Sequence, residues 1–192
     1  MGGRSARPLR VAVDLTRLGQ GGQNGGVKPL VFRFLQWIAA ARGAEFRFVY
    51  FTKSSLVPEV EAWRRDLDRQ VCIGESEGCR PPADGSSRPG FAWDPRGIED
   101  WSSRWPADVL YAPLGFSPFC RPSLPWVSLI VDTLHRDHPG MLPPGEVAFR
   151  EQWFREVLAG ADAVQCISQF VKGQLQACYS VPADKLFVTY CA

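Results

Sequence analysis

The sequence predicts an α/β fold in which a mostly parallel sheet is covered by helices on both faces. Short apolar runs bounded by turn residues alternate with stretches whose apolar residues recur at helical spacing. Over residues 126–192 this alternation proceeds with almost no spacer, and the runs are near-continuously apolar, as strands buried on both faces must be. No internal repeat is present.

Taken in order, Arg10–Leu15 (RVAVDL) reads as a first strand, followed by a glycine-rich loop from Gly19 to Gly26. A helix is expected over Val27–Arg42, with Leu30, Val31, Phe34, Leu35 and Ile38 on one face and Pro29 tolerated in the first turn. Glu45–Thr52 alternates as a strand, Pro58–Arg69 reads as a polar helix, and Val71–Ile73 as a short strand. From Gly74 to Gly97 the chain is rich in Gly, Pro and Ser and reads as an irregular excursion, which with its flank reaches about residue 105. Asp108–Ala112 and Trp126–Val131 are two buried strands joined by a proline-rich connection. Glu146–Ala159 is a helix that Gly160 ends, Ala163–Ile167 a strand, Ser168 a helix cap, and Lys185–Tyr190 a last strand. Phe34, Trp37, Phe46, Phe48, Trp153 and Phe154 are expected to line the core or a groove, and Arg150 and Arg155 to form a solvated helix face.

A chain of 192 residues with 45% hydrophobic and 22% charged residues can bury a substantial core. The expected organisation is a flexible N-terminus over residues 1–9 and one domain over 10–192. A formal net charge of +2 is too balanced to imply nucleic acid or an anionic membrane as an obligatory partner. No secretory or transmembrane run is present in the sequence given. The six cysteines form no CxxC pair and several lie in apolar runs, so reduced, mostly buried thiols are expected, ahead of a disulfide framework or zinc site.

Two constellations carry chemistry. Strand, Gly-rich turn (Gly21, Gly22, Gly25, Gly26) and helix suit a phosphate, because glycines allow close backbone approach and amides at a helix start favour negative charge. The spacing is neither GxGxxG nor a P-loop, and alone it reads equally well as a surface loop without a ligand. The second is Asp132-Thr-Leu-His135-Arg-Asp137-His138, at the C-terminal end of a predicted strand, the sheet edge where ligands bind in open α/β folds. An Asp with a nearby His can bind sugar hydroxyls or move a proton; the plainer reading is a polar loop whose Asp satisfies backbone amides. No metal is expected, since the spacing matches no zinc motif. Ser168 lacks the glycines of a nucleophile elbow, so serine hydrolysis is rejected.

These residues resemble the retaining glycosyltransferases of family 4, built from two facing Rossmann-like domains, and specifically their N-terminal, acceptor-side domain. The resemblance rests on the loop glycines 21, 22, 25 and 26, on Asp108-Val-Leu-Tyr-Ala-Pro113, and on Asp132, Pro139 and Phe149-Arg150. It continues through Ala161-Asp-Ala-Val164 and Ser168-Gln-Phe-Val-Lys172. The His that usually precedes the family's Asp is Val131 here, while His135 matches a subset with a His three residues beyond it. The resemblance implies a single Rossmann-like domain forming half of an enzyme that transfers a sugar from a nucleotide-sugar co-substrate to a glycan or other acceptor with retention. It implies Asp132 and His135 as catalytic residues facing the cleft, and Gly21, Gly22, Gly25, Gly26 and Ser168 as substrate-binding. It implies no metal, no cofactor and no protein nucleophile, and a cytoplasmic location, peripheral to the inner membrane face. The donor domain is expected to be absent, supplied by a longer or separate chain, so that this chain alone is inactive. The alternative is a non-catalytic Rossmann-like module binding a glycan or a protein.

Overall fold

The computed structural model describes residues 7–73, 91–94, 101–115 and 117–190. The α/β class is as expected, and the chain contains two compact units, Met1–Leu110 and Tyr111–Ala192. The division falls inside a strand, where no change of composition marks it.

The first unit contains β1 (Leu9–Asp14), α1 (Val27–Ala41), β2 (Phe46–Thr52), α2 (Val57–Glu61), β3 (Arg69–Ile73), β4 (Phe91–Asp94), α3 (Trp101–Arg104) and the start of β5 (Val109–Ala112). Its strands lie in the order β4-β3-β2-β1, each neighbouring pair parallel. Parallel pairing leaves neither face for solvent, and Val11, Ala12, Val13, Phe48, Tyr50 and Phe51 are all buried. Helix α1 has no side-chain cap and forms on its apolar stripe, burying Val31 and Leu35 one turn apart. Trp37, on its other side, is 63% exposed rather than in the core.

The polar helix expected over Pro58–Arg69 stops after Glu61, because the residues beyond it spend their side chains on backbone. The buried Arg64 donates to the Asp68 carbonyl at 2.7 Å, and Arg65 donates to Gly43 O at 2.9 Å. Asp68 accepts the Phe48 amide at 3.0 Å. The irregular excursion is irregular only in part: β4 and α3 lie within it, each four residues long and too short to show a period. Its remaining residues, 74–90 and 95–100, lie outside the described ones. Leu9 of the expected flexible N-terminus already opens β1, and Arg7 pairs with Asp108 at 2.9 Å. Asp108 also takes the Arg10 amide and guanidinium, which hold its carboxyl well below the usual range.

The second unit contains β6 (Trp126–Ile130), α4 (Leu134–Asp137), α5 (Pro144–Gly160), β7 (Ala163–Cys166), α6 (Gln169–Tyr179) and β8 (Leu186–Val188). The order is β6-β7-β8, again parallel, with α5 and α6 as the crossovers. Leu129, Ile130, Phe154, Val157, Val164, Val171 and Leu175 form its core. Gly115, at φ +92°, ends the turn after β5, where an added Cβ would stand 2.0 Å from the Trp153 ring. Cys166 is a buried free thiol, pushed up to about 11 by burial. Cys72 departs from the expectation of reduced thiols, being disulfide-bonded. Among the described residues no helix is long and apolar enough to cross a membrane.

Candidate functional site

In the first unit the chain leaves β1 at Asp14, whose buried carboxylate accepts from the Thr16 amide at 2.9 Å and its hydroxyl at 2.6 Å. The glycine loop is then folded by its own polar groups. Asn24 accepts the Gly19 amide through Oδ1, Gly25 donates to Gly22 O at 3.0 Å, and Val27 donates to Asn24 O at 3.1 Å. Gly21 and Gly25 have φ of +61° and +51°, the left-handed region that favours glycine. At Gly21, Gly22, Gly25 and Gly26 an added Cβ would meet nothing within 4 Å, so all four glycines border open space.

Two residues that sequence reasoning missed hold this loop. Lys28, 6% exposed, donates from Nζ to Gly19 O at 3.1 Å and to Glu59 at 2.8 Å. Glu59 in turn accepts the Gly21 amide at 3.1 Å, and Lys28 lowers its carboxyl from the usual carboxylate range. One amide expected to face a phosphate is thus already given to a carboxylate. The one available signal was a lysine in the first turn of a helix whose apolar stripe begins beside it.

In the second unit the expected polar cluster follows β6. Asp132 Oδ1 accepts the Leu134 amide at 3.0 Å and Arg150 Nη1 at 3.2 Å, while the side chain stays 46% exposed. Among the described residues nothing bonds Oδ2, which leaves it able to accept a ligand hydroxyl. Arg150 also reaches Glu146 at 3.1 Å, so it is an ion-paired neighbour of Asp132 rather than part of a solvated face. Residues 134–137, read as loop, form the single turn α4. Thr133 donates to Asp137 within it, and His138 is exposed.

His135 is 2% exposed, so its imidazole does not open to solvent as a cleft-facing residue would. Its ring lies 4.4 Å from that of Phe154, and Nε2 is 2.9 Å from Tyr179 Oη. Burial lowers its pKa below the ordinary histidine value. Tyr179 Oη donates to Glu151 Oε2 at 2.8 Å and accepts from Arg136 Nε at 3.0 Å. Glu151 also pairs with Arg136 at 2.6 Å and Arg155 at 2.7 Å. Burial pushes its carboxyl up, but the hydrogen bonds from Arg136 and Tyr179 outweigh it and hold the group at about 2. Tyr179 is pushed up to about 12, chiefly by burial. Glu151 and Tyr179 are ordinary members of helical patterns in sequence, and nothing there sets them apart.

Ser168 caps α6, its Oγ accepting the Val171 amide at 3.2 Å. Among the described residues no group of three or more His, Cys, Asp or Glu side chains is arranged to hold a metal ion.

Among solved structures, the chain is similar to a glycosyltransferase from Rickettsia africae ESF-5, with a TM-score of 0.51 at 13% identity. The likeness covers 96% of this chain and 43% of that one, so the chain spans less than half the length of its structural neighbour. It supports the Rossmann-like α/β fold. No curated protein matches the sequence. Residues 24–192, most of the chain, match the sequence profile of Glycosyltransferase Family 4, and the chain belongs to that family.

Proposed function

We propose that the chain forms the acceptor-side half of a retaining glycosyltransferase, which transfers a sugar from a nucleotide-sugar donor to a glycan or other acceptor. The family match over residues 24–192 carries this reading. Asp132, with Oδ1 fixed by Leu134 and Arg150, accepts a hydroxyl of the transferred sugar or acceptor through Oδ2. The backbone of Gly21, Gly22, Gly25 and Gly26 lies against the donor diphosphate, and the half-buried Ser168 contributes to the substrate wall. Catalysis comes from electrostatic stabilisation of the leaving diphosphate, without a protein nucleophile or metal. A donor-side domain, on a longer or separate chain, completes a cleft that excludes water. The reading includes a cytoplasmic location at the inner membrane face; counting free thiols in native protein from cells checks it against the Cys72 disulfide.

Calorimetry with a panel of nucleotide sugars, on the chain alone and with a donor-side domain, tests the proposal. Binding that appears or tightens with the second domain is expected; none in either case, with both partners folded, contradicts it. The second reading, a non-catalytic glycan- or protein-binding module, is favoured by one observation, that Glu59 already occupies the Gly21 amide. It predicts glycan binding that no donor domain alters.

A further inference from the structure

The side chain of His135 is fully buried, yet among the described residues its Nδ1 has no hydrogen-bond partner, and the bonds at the other nitrogen fix where its proton sits. Glu151 is ionised at neutral pH and only accepts. Arg136 only donates. Tyr179 Oη has a single hydrogen, and with Glu151 Oε2 at 2.8 Å that hydrogen goes to the carboxylate. Arg136 Nε takes one Oη lone pair at 3.0 Å, which leaves the other for His135. Nε2 therefore donates to Tyr179 at 2.9 Å, and Nδ1 is a bare lone pair.

This node joins three elements around Asp132. His135 and Arg136 come from α4, Glu151 and Arg155 from α5, and Tyr179 is the last residue of α6. Leu134, whose amide holds Asp132, directly precedes His135; Arg150, which holds the same oxygen, directly precedes Glu151. We propose that His135 is a positioning residue that, in its neutral Nε2–H form, hangs the α4 turn on Tyr179 and Glu151 and thereby fixes the Asp132 carboxylate. The proposal rests on the reading of Asp132 as the substrate-facing group, and it removes His135 from direct contact with substrate. Protonation at Nδ1 would leave a buried donor without an acceptor and add a positive charge facing Arg136 and Arg150 as well as Asp132 and Glu151. The neutral form therefore persists where an exposed histidine has already titrated.

The chain has two histidines, so isotope-labelled histidine and an H138Q control assign both imidazoles by NMR in the full chain. At neutral pH, His135 is expected to show protonated Nε2 and bare Nδ1, and to stay neutral at pH values where a free histidine is already protonated. Y179F removes the acceptor, and Leu134 amide exchange should rise about tenfold, as loss of one hydrogen bond of ordinary worth implies, with Leu129 and Ile130 unchanged. H135Q, which keeps an N–H donor, should restore Leu134 protection that H135F loses; this pair serves if Y179F fails to fold. An Nδ1–H tautomer, protonation of His135 at the ordinary histidine value, or Leu134 exchange indifferent to Y179F and H135F would overturn the proposal. None of these readouts needs turnover, so this signature in a chain that gives no transfer even when assembled with a donor-side domain refutes the enzyme reading alone.

Discussion

Asp132 is half-exposed because two neighbours hold one of its oxygens and leave the other to solvent. If Oδ2 meets substrate in the transition state, D132N should lower kcat/KM of the assembled enzyme by about 10²-fold, in the range measured for losing one preorganised electrostatic contact. R150A should act in the same direction but less, since the Leu134 amide remains. The kinetics of the two variants side by side check this order. Glu151 gives a pH prediction with a definite sign. Its folded pKa of about 2 lies below its ordinary 4.5, so its contribution to stability is complete above the higher value and lost as pH falls toward the lower. Urea midpoints across that window should fall for the native chain, and fall less steeply for E151Q. The residues themselves were legible only in part: Asp132 stood out at a strand end, whereas Glu151 and Tyr179 act through contacts that join helices 28 positions apart in sequence.

At the scale of elements, Gly115 and Gly173 separate the two reasons for a glycine. Ala at Gly115 would force a residue with a Cβ into φ +92° and into the Trp153 ring, and should cost about 3 kcal/mol. Gly173 lies exposed inside α6 with nothing within 4 Å, and G173A should stabilise by about 0.5–1 kcal/mol. Chemical denaturation of both variants checks the contrast. In the glycine loop, K28M should free Glu59 and loosen the turn, so cleavage between residues 19 and 26 by a mild protease should rise severalfold, with the rest of the chain protected. Most elements were readable because parallel strands need apolar runs and α1 and α6 have a stripe; Ser168 was readable as a cap. Helix α4 and strand β4 were not, since four residues hold no period, and α2 ended early because Arg64 turned to the nearby Asp68 carbonyl and Arg65 to that of Gly43, which only the fold brings near.

For the whole molecule, the alternation of strands and helices specified the α/β class, and the order of the motifs specified the family that residues 24–192 confirm. The division after Leu110 was not legible, because it interrupts a strand rather than a linker. The glycine loop lies in the first unit and Asp132 in the second. The most direct measurement is transfer itself: the chain assembled with a donor-side domain, supplied with a nucleotide sugar and acceptor, and the product's anomeric configuration read by NMR. The account predicts a product that keeps the donor's configuration and a rate that collapses in D132N. An inverted product, or turnover indifferent to D132N in a folded protein, would contradict it.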